Sequence, residues 1–207
     1  MAHMVDIDDF LPQVLLYAPN CADQVAYRFL REAAREFCQR TNCWRESDEV
    51  TISTPECEGI GTTSDAEIQL IQRAELDGVP LTPRTVAWLD ENRPGWETST
   101  EITVARYITQ IQPNTVTVVP RAEGTLTMRL VLKPSLSART LPGFLLDQWG
   151  TEIGKGAAAR VLLLPESQNP DLGAGLLQEF KDCLGTEAIR TTKGQQGARL
   201  RTRGSYF

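Results

Sequence analysis

Apolar positions recur every four residues over residues 21–40. Val25, Phe29, Ala33 and Phe37 form one row, and Ala26, Leu30, Ala34 and Cys38 form the next. Two adjoining rows make one apolar stripe, so the spacing predicts an amphipathic helix. Pro19-Asn20 breaks the chain ahead of it. Asn20 suits the N-cap, and Asp23 brings a carboxylate to the positive end of the helix dipole. Arg28, Glu32, Glu36 and Arg40 lie off the stripe at i,i+4 spacing. Such pairs add only about 0.2–0.5 kcal/mol each, and the four read as a solvated face. Upstream, Asp8 or Asp9 can cap a short helix carrying Phe10, Leu11, Val14 and Leu15. Pro12 fits there only in the first turn, where its missing N–H costs no helical bond.

The same period returns over residues 137–190. Leu145, Trp149, Ile153, Ala157 and Val161 make a stripe, with Pro142 suited to N1 and Pro165 as a stop. Gly150, Gly154 and Ala158 form a parallel row of small residues. A helical glycine costs about 1 kcal/mol against alanine, so the row reads either as a close helix–helix approach or as a weak helix. Asn169-Pro170-Asp171 then offers an N-cap, an N1 proline and an N-terminal acid. Leu172, Leu176, Phe180, Leu184 and Ala188 follow, with Gly185 placed to end or loosen that helix.

Between these regions the period changes from four to two. Candidate strands are 49–54, 66–76, 101–112, 115–119 and 125–133. Asp77-Gly78 is a hairpin signal, because a type I′ turn needs positive φ at both central residues. Pro113-Asn114 and Ala122-Glu123-Gly124 supply further turns. Residues 82–96, with Pro83, Pro94 and Gly95, read as a loop with one helical turn near 85–89. Segregated helices and strands predict an α+β fold. Its expected parts are a helical bundle base from the N- and C-terminal helices (5–43 and 137–190), an inserted antiparallel β meander (44–136) and an extended C-terminal arm (191–207).

The 207 residues carry 21 basic and 27 acidic side chains, a net charge of −6, with 41% apolar residues. This is a globular composition. No apolar run is long enough to span a bilayer, and no export signal is expected at the start. The single histidine, His3, lies in Met1-Ala2-His3-Met4, which reads as a cloning scar before a second start at Met4. Without it there is no imidazole base for a Ser-His-Asp or Cys-His enzyme, and no histidine-rich metal site. Cys21, Cys38, Cys43, Cys57 and Cys183 contain no C-x-x-C. Cys38 and Cys43, with four residues between them and no second pair, are a weak zinc signal and read better as buried thiols. No metal, cofactor or catalytic residue is expected.

Other motifs fall short. Residues 150–156 resemble a phosphate loop, but one residue too few separates the glycines, Gly156 replaces the Ser/Thr, and the stretch is helical. Gly59-Ile60-Gly61 lacks the third glycine of a dinucleotide fingerprint. Asp8/Asp9 and Glu56/Glu58 read as caps or solvated charge, not a glycosidase pair. Trp44, Trp88, Trp96 and Trp149 read as plugs of cores or interfaces.

The end of the chain breaks every pattern. Arg190, Lys193, Arg199, Arg201 and Arg203 meet no acid, so five positive charges leave −11 on the rest of the chain. As an extended strand, the segment sets Arg199, Arg201 and Arg203 on one side. There they can grip carboxylates in bidentate pairs. Leu200, Tyr206 and Phe207 add apolar anchors. These eight residues are the expected partner-binding set. DNA ranks behind protein as the partner, because the acidic body repels phosphate.

Three stretches together resemble bacteriophage head-to-tail adaptor (connector) proteins. One is Asp9-Phe10-Leu11-Pro12-Gln13-Val14-Leu15 with Ala18-Pro19-Asn20-Cys21, Ala33-Ala34-Arg35-Glu36-Phe37-Cys38 and Trp44-Arg45. Another runs from Leu141-Pro142 through Gly154-Lys155-Gly156-Ala157-Ala158-Ala159-Arg160 to Asn169-Pro170. The last is Gly197-Ala198-Arg199-Leu200-Arg201. The likeness covers both ends of the chain but not the central β region. It implies a structural virion protein of the neck, made in the bacterial host cytoplasm, with no enzymatic activity. It further implies a twelvefold ring of neighbouring copies on the portal protein, with the helical base portal-proximal and the β region tail-proximal. A downstream tail or neck protein would bind the β region. DNA would pass through the bore without specific binding, and no membrane would be involved. The alternatives are a tail terminator or stopper, a carboxylate-based cell-wall enzyme of the virion, and a DNA-binding protein.

Overall fold

The computed structural model describes residues 3–53, 65–98, 104–112, 114–165 and 169–193. The fold is α+β. The chain divides into two compact units, which for the described residues are 3–43 with 139–193, and 44–138.

In the first unit, β1 (Met4–Asp6) pairs antiparallel with β8 (Thr140–Pro142). A 3-10 turn at Ile7–Phe10 leads into α1 (Leu11–Leu15), with Pro12 in its first turn as expected. Asp8 and Asp9 lie within the 3-10 turn, and its N-cap is Asp6. Helix α2 (Asp23–Thr41) starts two residues later than the pattern suggests. Its N-cap is Ala22, so Asn20 does not cap it, and Asp23 stands in the first turn. Asn42 ends the helix in the left-handed conformation at φ 51°, where asparagine is tolerated, and its N–H bonds the carbonyl of Cys38. Burial centres on Ala26, Leu30, Ala33, Ala34, Phe37 and Cys38, with Val25 and Phe29 half-buried at its edge.

Helix α4 (Gly143–Leu162) begins one residue past Pro142. Trp149 interrupts it with φ −136° and ψ 17°, and the indole packs 5.1 Å from the ring of Phe37. Of the small-residue row, Gly154 marks a close approach to another helix, as does Gly156 outside the row, whereas Gly150 meets only Leu146 of its own helix. A Cβ on Gly154 would fall 2.4 Å from Cβ of Gln13 in α1, and one on Gly156 would fall 2.8 Å from Cδ2 of Phe180. Phe180 belongs to α5 (Pro170–Lys193). Asn169 caps α5 by accepting from the N–H of Leu172 at 3.2 Å. The helix continues through Gly185 to Lys193, so the first three residues expected in the arm are helical. Once a helix is held by packing at Leu176, Phe180 and Leu184, one exposed glycine is too small a penalty to end it.

The second unit is a six-stranded sheet in the order β2-β7-β3-β4-β5-β6. Its strands are β2 (Arg45–Ile52), β3 (Ala66–Leu76), β4 (Val79–Pro83), β5 (Tyr107–Thr109), β6 (Thr117–Val119) and β7 (Gly124–Pro134). This is not the expected antiparallel meander. Strand β7 inserts between β2 and β3, and β4 pairs parallel with β5 at Thr82↔Tyr107 and Pro83↔Ile108. Apolar content explains β7's place. It buries Leu126, Met128, Leu130, Val131 and Leu132, whereas β2 alternates exposed with half-buried residues, as suits an edge.

Asp77-Gly78 forms the expected hairpin turn, with φ 49° and 79°. It leads into β4, a strand the pattern hides behind two prolines. Residues 86–92 form the helix α3 (Val86–Asn92), where a loop with a single helical turn was expected. Thr85 caps it by accepting from the N–H of Trp88. Of the expected strand at 101–112, residues 101–103 lie outside the described residues, and 104–112 hold only β5.

Candidate interaction surfaces

The expected partner-binding set falls mostly beyond the described residues. Arg199, Leu200, Arg201, Arg203, Tyr206 and Phe207 all lie there, as do Cys57, Glu56, Glu58 and Gly59-Ile60-Gly61. Lys193 is the last residue of α5. Arg190 is exposed on the same helix, and its Nη1 donates to Oε1 of Glu187 at 2.6 Å. Glu187 is the one charged residue that is buried among those described, so Arg190 compensates a desolvated carboxylate.

What carries that helical end is a cross-linked helix layer. Lys155 of α4 donates to Oε2 of Glu179 of α5 at 2.7 Å. This contact holds the ammonium pKa above its ordinary value. Arg160 of α4 donates to Glu36 of α2 and to the carbonyl of Gly156, and its guanidinium lies 5.5 Å from the centre of the Phe180 ring. Glu36 is therefore an interhelical ligand and not part of a solvated face. Arg28 and Glu32 do form the expected i,i+4 pair at 3.2 Å.

No catalytic constellation stands out in this layer. The would-be phosphate loop lies inside α4. Asp8 accepts a hydrogen bond from Tyr27, which raises the phenol pKa. Cys38 is fully buried, and its pKa rises well above the ordinary value, first because its thiol hydrogen-bonds with Cys43 and then because it is desolvated. Among the described residues no group of three His, Cys, Asp or Glu is placed to hold a metal ion.

A family model described as SU10 adaptor protein matches residues 5–203. The chain belongs to that family. It is a family of phage head-to-tail adaptors, structural components and not enzymes. No curated protein matches the chain. The match spans the central β region as well as the two ends on which the sequence resemblance rested. Among the described residues, no helix of the adaptor is long and apolar enough to cross a membrane.

The adaptor also carries a feature that the sequence pattern did not single out. Around α3, Arg84 stacks 4.4 Å from the centre of Trp88, Trp88 lies 5.2 Å from Tyr107, and Arg93 lies 5.8 Å from Tyr107. Leu89, Trp96 and Val119 form a small buried cluster beneath, and the indole of Trp96 donates to Asp90 at 2.8 Å. The signal was present as Arg84-x3-Trp88 at helical i,i+4 spacing. It was masked by reading the prolines and glycine of 82–96 as loop.

Proposed function

We propose that this adaptor docks as a ring on the portal and links the capsid to the tail, leaving a channel for DNA. The family match over residues 5–203 carries this reading. The charge split supports it, since a basic end on an acidic body suits attachment to another protein's carboxylates while the body repels passing DNA. In the proposal, the helical unit is the portal-proximal base and the β unit faces the tail. Residues from Arg190 to Phe207 reach the portal or a neighbouring copy. A basic extended segment loses about 1–2 kcal/mol of backbone entropy per residue when it orders. A ring repeats the modest net gain at every subunit. The free protein is therefore expected to be largely monomeric and to assemble on the portal in twelvefold symmetry.

Electron microscopy of the purified chain mixed with its portal tests this. A ring of density on the tail-side face of the portal is expected. Binding only at the end of a completed tail would instead favour a tail terminator, and a stable large ring in the absence of portal would contradict assembly on the portal.

A further inference from the structure

A cavity of about 250 Å³ beside α3 has Arg93, Trp96, Tyr107, Val119 and Pro120 among its lining residues. That is below the roughly 300–1,000 Å³ of small-molecule sites. It suits one apolar side chain of a protein. Arg93 lines it, and Arg84 stands one ring further off, 4.4 Å from the centre of Trp88, which packs 5.2 Å from Tyr107 of the lining. Both residues are exposed, Arg84 stacks on Trp88 while Arg93 lies within cation–π range of Tyr107, and among the described residues neither pairs with a carboxylate. Stacking fixes the plane of a guanidinium and leaves its N–H edges outward, which suits bidentate binding of a carboxylate.

We propose that this corner of the β unit docks an acidic segment of a tail-side protein, seating one apolar side chain in the cavity, with one carboxylate held by Arg93 at its wall and another by Arg84 beyond Trp88. The proposal rests on the reading of the β unit as tail-facing. Charge decides between protein and nucleic acid. Residues 44–138 contain eight basic and fourteen acidic side chains. A long polyanion gains affinity with each phosphate neutralised, and it meets net repulsion here. A short segment needs only the two local forks. The aromatic and arginine content matches what dominates protein–protein contacts.

The test uses the full chain with nitrogen-15 label, following the indole N–H signals of Trp88 and Trp96. One probe is the capped hexapeptide Asp-Asp-Leu-Pro-Asp-Asp, a second has Asn at every Asp, and a third is a sixteen-nucleotide oligo(dT). The acidic peptide is expected to shift both indole signals saturably. The neutral peptide and the oligonucleotide are expected to leave them in place. The double variant Arg84→Glu/Arg93→Glu is expected to weaken peptide binding at least about tenfold, with Arg84→Lys/Arg93→Lys in between because charge survives without the fork. Unmoved indole signals, equal shifts with the neutral peptide, shifts with oligo(dT) alone, or equal binding by the Glu variant would each overturn the proposal. Assembly of the same Glu variant on the portal is read separately, by microscopy. If the ring forms while the acidic peptide fails to bind, this corner is rejected and the adaptor reading stands. If no ring forms with the unaltered chain, the adaptor reading fails whatever the peptide does.

Discussion

Gly156 of α4 lies against the ring of Phe180 of α5, close enough that a Cβ on the glycine would sit 2.8 Å from Cδ2 and 2.9 Å from Cγ of the ring. The ring is buried under Arg160, so it has no open side to retreat to. Gly156→Ala is therefore expected to cost about 1–3 kcal/mol through overpacking. Gly185 sits on α5 with nothing within 4 Å of its would-be Cβ. Gly185→Ala is expected to stabilise by about 0.5–1 kcal/mol, the ordinary propensity gain. Urea unfolding of the two variants should move the midpoint in opposite directions.

Arg160 joins three helices through one side chain. It donates to Glu36 and to the Gly156 carbonyl and covers Phe180. Its side chain is 19% exposed, so removing one partner leaves the other poorly solvated. Glu36→Gln should cost about 1–2 kcal/mol, and Arg160→Ala more, since packing on Phe180 goes as well. A double-mutant cycle by denaturant unfolding would show coupling between the two positions. Strict additivity would mean that the pair is only a surface contact.

These two contacts show what the sequence could and could not reveal. The stripes at 26–38 and 176–184 were legible because period-four burial is a local property, although Leu172 at the head of the second proves exposed. Asp77-Gly78 was legible because only a few residue types accept its backbone. Glu36 and Arg160 are 124 positions apart, and nothing local to either marks the other as its partner. The insertion of β7 between β2 and β3 is likewise a long-range choice. Strand β4 was missed for a different reason. Five residues with Pro80 and Pro83 lack the donors and length by which a strand is recognised, and β4 exists because its neighbours hold it. Of the expected binding set, Arg190 and Lys193 could be placed on a helix, and the remaining six lie outside the described residues.

Gly124 tests the sheet. Its φ is 144°, and a Cβ there would stand 2.3 Å from Oδ2 of Asp77, whose Oδ1 accepts from the N–H of Thr125 at 2.8 Å. Gly124→Ala combines an unfavourable backbone with displacement of that carboxylate. It should destabilise by about 2 kcal/mol or more. Asp77→Asn, which keeps an acceptor, should cost less. Thermal unfolding of both separates the backbone effect from the hydrogen bond.

Alkaline pH should loosen the helical unit. The Cys38 thiol is held well above its ordinary 9.0 by the Cys43 thiol and by burial, and Lys155 is held above its ordinary 10.5 by Glu179. Both folded-state values are raised. Their contributions are thus complete below the unfolded pKa and are lost as pH climbs through the folded one. The melting temperature under reducing conditions should fall as pH climbs above about 9, through the thiol first and through the amine only beyond 10.5. Cys38→Ala should lower stability at neutral pH yet flatten this alkaline decline. A decline of the same steepness in the variant would remove Cys38 as its cause.

Truncation before Arg199 should separate attachment from folding. The buried side chains of the helical unit lie in segments that end by Glu187 of α5, eleven residues before the cut, among the described residues. A chain lacking 199–207 should therefore melt within a degree or two of the full one, since it keeps every buried side chain of the described residues. It also loses three arginines and, with Leu200, Tyr206 and Phe207, its apolar anchors. If these grip the portal, co-sedimentation with portal should vanish, and the intact chain's binding should weaken steeply between low and physiological salt, as charge-dominated contacts do. Unchanged portal binding by the shortened chain would move the attachment surface onto the helices, where Arg190 and Glu187 would be the next positions to alter.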